Sequence, residues 1–299
     1  MRNVLLAGAT GYLGSFILEE LLYRGYQTKI IVRNVEKINK EFIEDNSLKI
    51  IKAELTKPES IVGCCNGIDI VISTVGITKQ KDGLNYLDVD YKANMNLLKE
   101  AIKSGVKKVI YVSVLKGREL RDLKICDAKE KFVDELKTSG LNYCVIRPNG
   151  FYSDISEFFN MAKKGRVYLF GVGNFKLNPI HGIDLAKVCV DSIEMDVNEI
   201  EIGGPEILTQ NQIAEIAYST LDKKPKITHI PNWIRKLVLF LVRSFTSVKT
   251  FGPIEFFLTL MAMDFIAPKF GNHRLEDYFN ELKNKRSKQS VFVSKQLEI

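Results

Sequence analysis

Along the first half of the chain, short unbroken apolar runs alternate with stretches whose apolar residues recur every three or four positions. NVLLAG (3–8), TKIIVR (28–33), LKIIKA (48–53), DIVISTVG (69–76), KKVIYVSV (107–114) and NYCVIRP (142–148) are the runs. Each predicts a strand buried on both faces. Between the first two, YLGSFILEELLYRG (12–25) sets Leu13, Phe16, Ile17, Leu21 and Leu22 at helical spacing and stops at Gly25. YLDVDYKANMNLLKEAIKSG (86–105) and DAKEKFVDELKTSG (127–140) predict further helices, each closed by Ser-Gly. Strand and helix in alternation predict an α/β fold, a doubly wound parallel sheet with helices on both faces. The rhythm breaks after Pro148, and the most apolar windows come late, WIRKLVLFLVRSF (233–245) and PIEFFLTLMAMDFIAP (253–268).

GATGYLG (8–14) falls between the first strand and the first helix. A turn there needs Gly8 for backbone angles closed to other residues. Gly11 lets the main chain approach a pyrophosphate, and Gly14 lets helix and strand pack closely. The helix N-terminus offers N–H groups and partial positive charge to phosphates. A plain glycine-rich turn would give the same three letters, but the flanking strand and helix favour a dinucleotide site on a Rossmann sheet. Its candidate residues are Gly8, Thr10, Gly11, Tyr12, Leu13 and Gly14. The end of the second strand reads the adenosine ribose, and here it carries Arg33, with no carboxylate between Lys29 and Glu36. A guanidinium suits a 2′-phosphate, so the expected cofactor is NADP(H) in preference to NAD. The alternative for Arg33 is a surface arginine at a strand end.

Composition narrows the setting. Apolar residues make up 45% of the 299 residues and charged ones 26%, ordinary for a globular chain able to bury its own core. The net charge of +7 is spread out, with one dense patch at KNKRSK (283–288) that reads as a solvated tail or an anionic-surface contact. Cysteine occurs five times with no Cys-x-x-Cys pair, which fits free thiols in a reducing compartment. Met1 leads straight into a strand and no apolar stretch reaches the ~18 residues of a membrane span. These features predict a cytoplasmic protein that does not bind nucleic acid; they leave the oligomeric state open.

GATGYLG, VRN, AELTKPES (53–60), STVG (73–76), VDYKANMNLLKEA (89–101), VIYVSV (109–114), AKEKFVDELKTSGLNYCVIRP (128–148) and IGGPEILTQNQIAEI (202–216) resemble the short-chain dehydrogenase/reductase superfamily, in its extended or atypical branch. Within it, RPNGFYSDI (147–155), KKGRVYLFGVGNFKLNPIHGIDLA (163–186) and FGNHRLEDYF (270–279) resemble the divinyl chlorophyllide 8-vinyl reductases. NmrA-like and isoflavone-reductase-like proteins are more distant. The resemblance implies a Rossmann domain over 1–150, to which 178–200 returns, and a smaller substrate-side region from 151–177 and 201–299. It places Leu55 near the adenine, Thr74, Val75 and Gly76 along the ribose and pyrophosphate, and Ser113 toward the nicotinamide. Lys129 would hold the nicotinamide ribose, with Pro148, Asn149 and Phe151 flanking the ring. Lys129 and Ser113 are thus the expected catalytic pair; a solvated lysine and a backbone-satisfying serine are the plainer alternatives.

One departure matters. The superfamily's acid is a tyrosine four residues before the lysine, and this chain has Ile125 there. Carbonyl reduction needs a positioned acid, whereas reduction of a conjugated double bond spreads the charge and takes its proton from water. Two functions follow. One is an NADPH-dependent reductase of a bulky, apolar, conjugated small molecule. The other is a non-catalytic NADP(H)-binding sensor or assembly factor. Other residues read plainly: His181 as a hydrogen-bonder at a helix start or a proton donor, His229 and His273 without metal-ligand spacing, Cys126 as a core or reactive thiol. The late apolar windows read as core or pocket lining. WIRKLVLFLVRSF, with Arg235, Lys236 and Arg243, also suits a peripheral membrane contact.

Overall fold

The computed structural model describes residues 2–78 and 83–284. Its elements run β1 Asn3–Ala7, α1 Tyr12–Tyr23, β2 Gln27–Val32, α2 Lys40–Ile43, β3 Leu48–Lys52, β4 Ile70–Ser73, α3 Asn94–Lys103, β5 Lys108–Val112, α4 Lys124–Thr138 and β6 Asn142–Pro148. There follow α5 Tyr152–Lys164, β7 Val167–Phe170, β8 Lys176–Leu177, α6 Gly182–Asp191, β9 Glu199–Ile202, β10 Leu208–Thr209, α7 Gln210–Thr220, β11 Ile227–Ile230, α8 Asn232–Phe245 and α9 Val248–Leu260. The chain divides into two compact units. The first holds Met1–Pro148, Gly182–Ile202 and Leu239–Phe257; the second holds Asn149–His181, Gly203–Val238 and Leu258–Ile299.

The first unit is built on a seven-stranded sheet in the order β3-β2-β1-β4-β5-β6-β9. Every neighbouring pair is parallel. The order reverses between β1 and β4, so a crevice opens at their carboxyl ends. This is the doubly wound fold that the strand-helix alternation predicts. The unbroken apolar runs follow from helices covering both faces: Val4, Leu5, Leu6 and Ala7 of β1 are all buried. β9 adds a seventh strand from EIEI, a segment too short and too alternating to stand out among the apolar runs.

Two local details differ from the sequence pattern. The segment read as one helix from residue 86 opens with a π-helical turn, Leu87–Ala93, before α3 begins. The late window 233–245, which reads as core or pocket lining or else as a peripheral membrane contact, forms α8 with none of its residues buried, against the core reading. In the second unit, β7 pairs with β11 and β8 with β10, while Phe159 packs on Phe279 at 5.3 Å.

The sheet's carboxyl edge also holds a buried ionic cluster. Arg147, on β6, grips the Glu130 carboxylate of α4 with both arms of its fork, Nη1 to Oε1 at 2.5 Å and Nη2 to Oε2 at 2.8 Å. Its Nε donates to Glu199 of β9 at 2.5 Å, and Nη1 to the Val114 carbonyl at 3.2 Å. Glu130 is fully buried and Arg147 nearly so. Two charges so far from water are tolerable because each has its partners. Removing one strands the other, so Glu130→Ala should destabilise the first unit by about 3–5 kcal/mol. Denaturant unfolding followed by circular dichroism checks this; a loss under about 1 kcal/mol, the range of an exposed pair, would mean that the pair is solvated.

Candidate functional site

The turn from β1 into α1 is shaped by contacts of the backbone with itself. Gly8 has φ +93°, and a Cβ there would stand 2.4 Å from the Thr74 Oγ1. A Cβ on Gly14 would lie 2.0 Å from the Gly8 carbonyl oxygen. Neither position admits a side chain. Gly11 differs: its φ is −82°, it is exposed, and a Cβ would meet only the Gly8 oxygen at 3.3 Å. Protein packing does not require a glycine there, so the space beside it stays open.

Gly11 is the N-cap of α1 and supplies no side-chain cap, and the first turn carries no acidic residue. The opening amides of the helix, such as those of Leu13 and Gly14, have no partner within the helix. They present an uncapped positive end to any anion. Leu13 is buried in the core and Tyr12 turns its hydroxyl toward the Gly182 N–H at 3.2 Å, so both offer main chain to this space; Thr10 is exposed on the turn.

Across the switch point, the loop after β4 is pinned from below. The buried Asn94 side chain accepts from Ser73 at 2.6 Å and donates to the Val75 carbonyl at 3.1 Å. The Thr74 N–H donates to the Ala7 carbonyl at 3.0 Å. Asp90, on the π-helical turn and fully buried, accepts from the Ile77 N–H at 3.2 Å. Its other oxygen forms an ion pair with Lys129 of α4 at 2.9 Å. A Cβ on exposed Gly76 would touch both charges, 2.5 Å from the carboxylate and 2.6 Å from the ammonium. Lys129 therefore lies directly beneath the Thr74–Val75–Gly76 loop, 5.6 Å from the centre of the Tyr111 ring. Burial works against its charge, but Asp90 outweighs this and raises the Lys129 pKa; burial likewise raises that of Asp90.

The other expected residues are placed as follows. Arg33 stands exposed at the end of β2. Glu54, just past β3, is held below the usual carboxylate range by the Thr56 hydroxyl and Lys57, with Arg33 adding to it. A carboxylate thus reaches Arg33's neighbourhood from the adjacent strand. Leu55 packs on the core beneath, and its carbonyl accepts from Asn96 at 2.9 Å. The Ser113 hydroxyl is turned inward, donating to Glu130 at 2.9 Å. The Pro148 carbonyl accepts from the Leu115 N–H at 3.1 Å. Asn149 and Phe151 fall in the second unit. There Asn149 donates to Asn178 at 2.7 Å and to the Phe265 carbonyl, while the Phe151 N–H donates to Asp154 at 3.3 Å.

Ile125 is buried in an apolar cluster with Tyr86, Leu123, Cys126 and Ala128. Burial pushes the Cys126 thiol up to about 12, which makes it a core residue and not a nucleophile. His181 stacks on His273 at 4.7 Å, edge-on to Tyr152. His229 contacts Asn211 at 3.0 Å. Among the described residues no cluster of His, Cys, Asp or Glu could hold a metal ion. Of KNKRSK, Lys283 pairs with Asp222 at 2.6 Å, and 285–288 lie outside the described residues.

A parallel sheet with a glycine turn and an uncapped helix at its switch point defines a Rossmann-type dinucleotide-binding protein. The chain belongs to the NAD(P)H-binding family, whose model matches residues 8–196. Among curated proteins it is similar to the chloroplastic divinyl chlorophyllide a 8-vinyl-reductase of Arabidopsis thaliana, 26% identical over 93% of this chain and 76% of that protein. It is also similar to the Photosystem II assembly factor Ycf39 of Trieres chinensis, 26% identical over 79% of this chain and 74% of that one. Among solved structures it shares its fold with an NADPH-dependent quinone oxidoreductase from Escherichia coli, at TM-score 0.69 and 17% identity, covering 93% of this chain and 99% of that one. A nucleoside-diphosphate-sugar epimerase from Staphylococcus aureus matches at TM-score 0.72 and 16% identity, covering 93% of this chain and all of the other.

The contrast between the two glycines gives a test. Gly14→Val should prevent native folding, because the side chain would occupy the Gly8 carbonyl. Gly11→Val should keep the far-ultraviolet circular dichroism and unfolding midpoint of the wild type while losing dinucleotide binding by calorimetry. Wild-type affinity in Gly11→Val would reduce GATGYLG to a turn.

Proposed function

We propose that the chain is an NADP(H)-dependent reductase of the atypical short-chain type, acting on a bulky, apolar, conjugated small molecule. The observation that carries the reading is Ile125. Where the superfamily has its acid, this chain has an aliphatic residue sealed in an apolar cluster with Tyr86 and Leu123. Ketone reduction develops an alkoxide and would lack its proton donor there. Reduction of a conjugated double bond tolerates the substitution, since the charge is delocalised and water can deliver the proton. The similarity to divinyl chlorophyllide a 8-vinyl-reductases supports the same substrate class.

Bound in the crevice, the cofactor would supply hydride. The chain's own residues would do the holding. The main chain of Gly11–Gly14 would take the pyrophosphate, and Arg33 the 2′-phosphate. The loop Thr74–Gly76, fixed by Asn94 and Asp90, would form the opposite wall. Lys129 would place positive charge beneath that loop, and Asp90 would keep the ammonium charged and in position. Ser113 would support the site through the Glu130–Arg147 cluster and not by touching substrate. The five buried free cysteines suit a reducing compartment.

A second reading is a non-catalytic NADP(H)-binding sensor or assembly factor. Two observations favour it: the Lys129 ammonium is committed to Asp90 at 2.9 Å, and the chain is also similar to Photosystem II assembly factors. An assay separates the two. Purified protein is mixed with NADPH and a panel of enones, quinones and vinyl porphyrinoids, and NADPH oxidation is followed by absorbance. Turnover of a conjugated substrate supports the reductase; binding without turnover supports the sensor.

Arg33→Asp should reverse a preference for NADPH over NADH measured by calorimetry, through loss of the guanidinium and gain of a ribose acceptor. Equal wild-type affinity for both cofactors would remove the basis for NADP(H). Ile125→Tyr separates the readings by sign. In the reductase it should lower activity, because a buried hydroxyl without a partner costs about 1–3 kcal/mol and crowds the cluster. In a sensor descended from a carbonyl reductase it should awaken weak ketone reduction. An active wild type indifferent to the change would place residue 125 away from the chemistry.

A further inference from the structure

Among the described residues no helix is long and apolar enough to cross a membrane. Yet α8 leaves a large apolar surface uncovered. Trp233 is 64% exposed, Leu237 45%, Phe240 64% and Leu241 42%. At ~100° per residue these four fall within about 100° of arc, one continuous stripe along the helix. Phe245, 80% exposed, extends it at the C-terminal end. Isolated exposed apolar residues are ordinary, but a stripe of large ones on a single helix marks a contact surface.

Charge distinguishes the occupants. From Lys223 to Ile254 the sequence contains no carboxylate, while Lys224, Lys226, Lys236 and Lys249 are among its cations. Arg243 is neutralised within the protein by the buried Glu255, and Arg235 donates to Asn232 at 2.7 Å. Lys236 is exposed beside the stripe and Lys249 follows the helix end. A second copy of this chain meeting the stripe face to face would bring the same cations together. An anionic surface would be attracted to them.

We propose that α8 is a membrane-docking helix, lying in the interface of an anionic lipid bilayer with Trp233, Leu237, Phe240 and Leu241 among the acyl chains. A helix with aromatic and leucine residues on one face and cations on its flank has the chemistry of an interfacial helix. Lys236 and Lys249 stay at headgroup level, their stems reaching along the apolar face. The proposal does not depend on catalysis, and serves equally a reductase of a lipid-dissolved substrate or an NADP(H) sensor at a membrane.

The protein contains one tryptophan, Trp233, so its emission reports on this face alone. Full-length protein is titrated with vesicles of phosphatidylcholine, or of phosphatidylcholine and phosphatidylglycerol in equal parts, with brominated acyl chains as quencher. The expected result is a blue shift and quenching with the anionic vesicles, reversed by high salt, and much weaker binding to the neutral ones. Lys236→Gln should weaken binding about fivefold, the worth of one cation near an anionic surface. Phe240→Glu should abolish it with an unchanged unfolding midpoint, as the side chain is exposed. Tryptophan emission indifferent to both vesicles overturns the proposal. So does equal binding to neutral vesicles, or a lipid-free dimer by sedimentation that Phe240→Glu dissolves.

Discussion

Nothing larger than hydrogen fits between Gly14 and the carbonyl of Gly8, where a Cβ would sit 2.0 Å from the oxygen. That contact sets α1 against β1 and fixes the direction in which the helix points its N-terminus. Gly8, at φ +93°, turns the chain while leaving room for Thr74 from the neighbouring strand. The consequence is an uncapped helix end at the point where strand order reverses. There the first amides of α1 have neither a side-chain cap nor an acidic neighbour. A ligand with negative charge satisfies them better than water does, so the packing constraint and the binding function have one origin.

The opposite wall depends on charge buried beneath it. Asp90 and Asn94 lie four residues apart, where the π-helical turn passes into α3, and hold the loop after β4 by its main chain. Lys129 neutralises Asp90 from α4, and Gly76 must be glycine because the pair occupies the space of its side chain. Beside this, Glu130 and Arg147 bind α4 to β6 and draw in the Ser113 hydroxyl. Adjacent residues of α4 therefore serve neighbouring elements: Lys129 supports the loop after β4, and Glu130 the ends of β5 and β6. Polar groups so deep in the sheet edge are tolerable because they are partnered, Asp90 by Lys129, Glu130 by Arg147 and Asn94 by Ser73 and Val75.

The parallel sheet was legible because β1, β2, β4, β5 and β6 are largely buried and read as plain apolar runs, and β3, an edge strand with no residue fully buried, still carries an apolar run. β9 was not, since EIEI alternates and lies at an edge. The glycine turn was legible through its flanking strand and helix. The buried charges were missed for a common reason: in sequence, Asp90 and Glu130 look like the solvated positions of amphipathic helices. A carboxylate and an amide spaced four apart among apolar neighbours, and an arginine ending an otherwise apolar strand, were the available signals. Glu54 was missed because it approaches Arg33 through strand pairing and not through the local sequence. The exposure of α8 was legible only as one of two alternatives, because a large apolar face reads the same whether the fold covers it or leaves it open.

The central claim is that the α1 N-terminus and the loop after β4 together hold a dinucleotide. Hydrogen–deuterium exchange with and without saturating NADPH tests it most directly, resolved by mass spectrometry of short peptides. The account predicts slowed exchange in the peptides covering Gly8–Gly14 and Thr74–Ile77, with α7 unchanged. Bound NADPH that protects neither segment, or protects only peptides elsewhere in the chain, would contradict it.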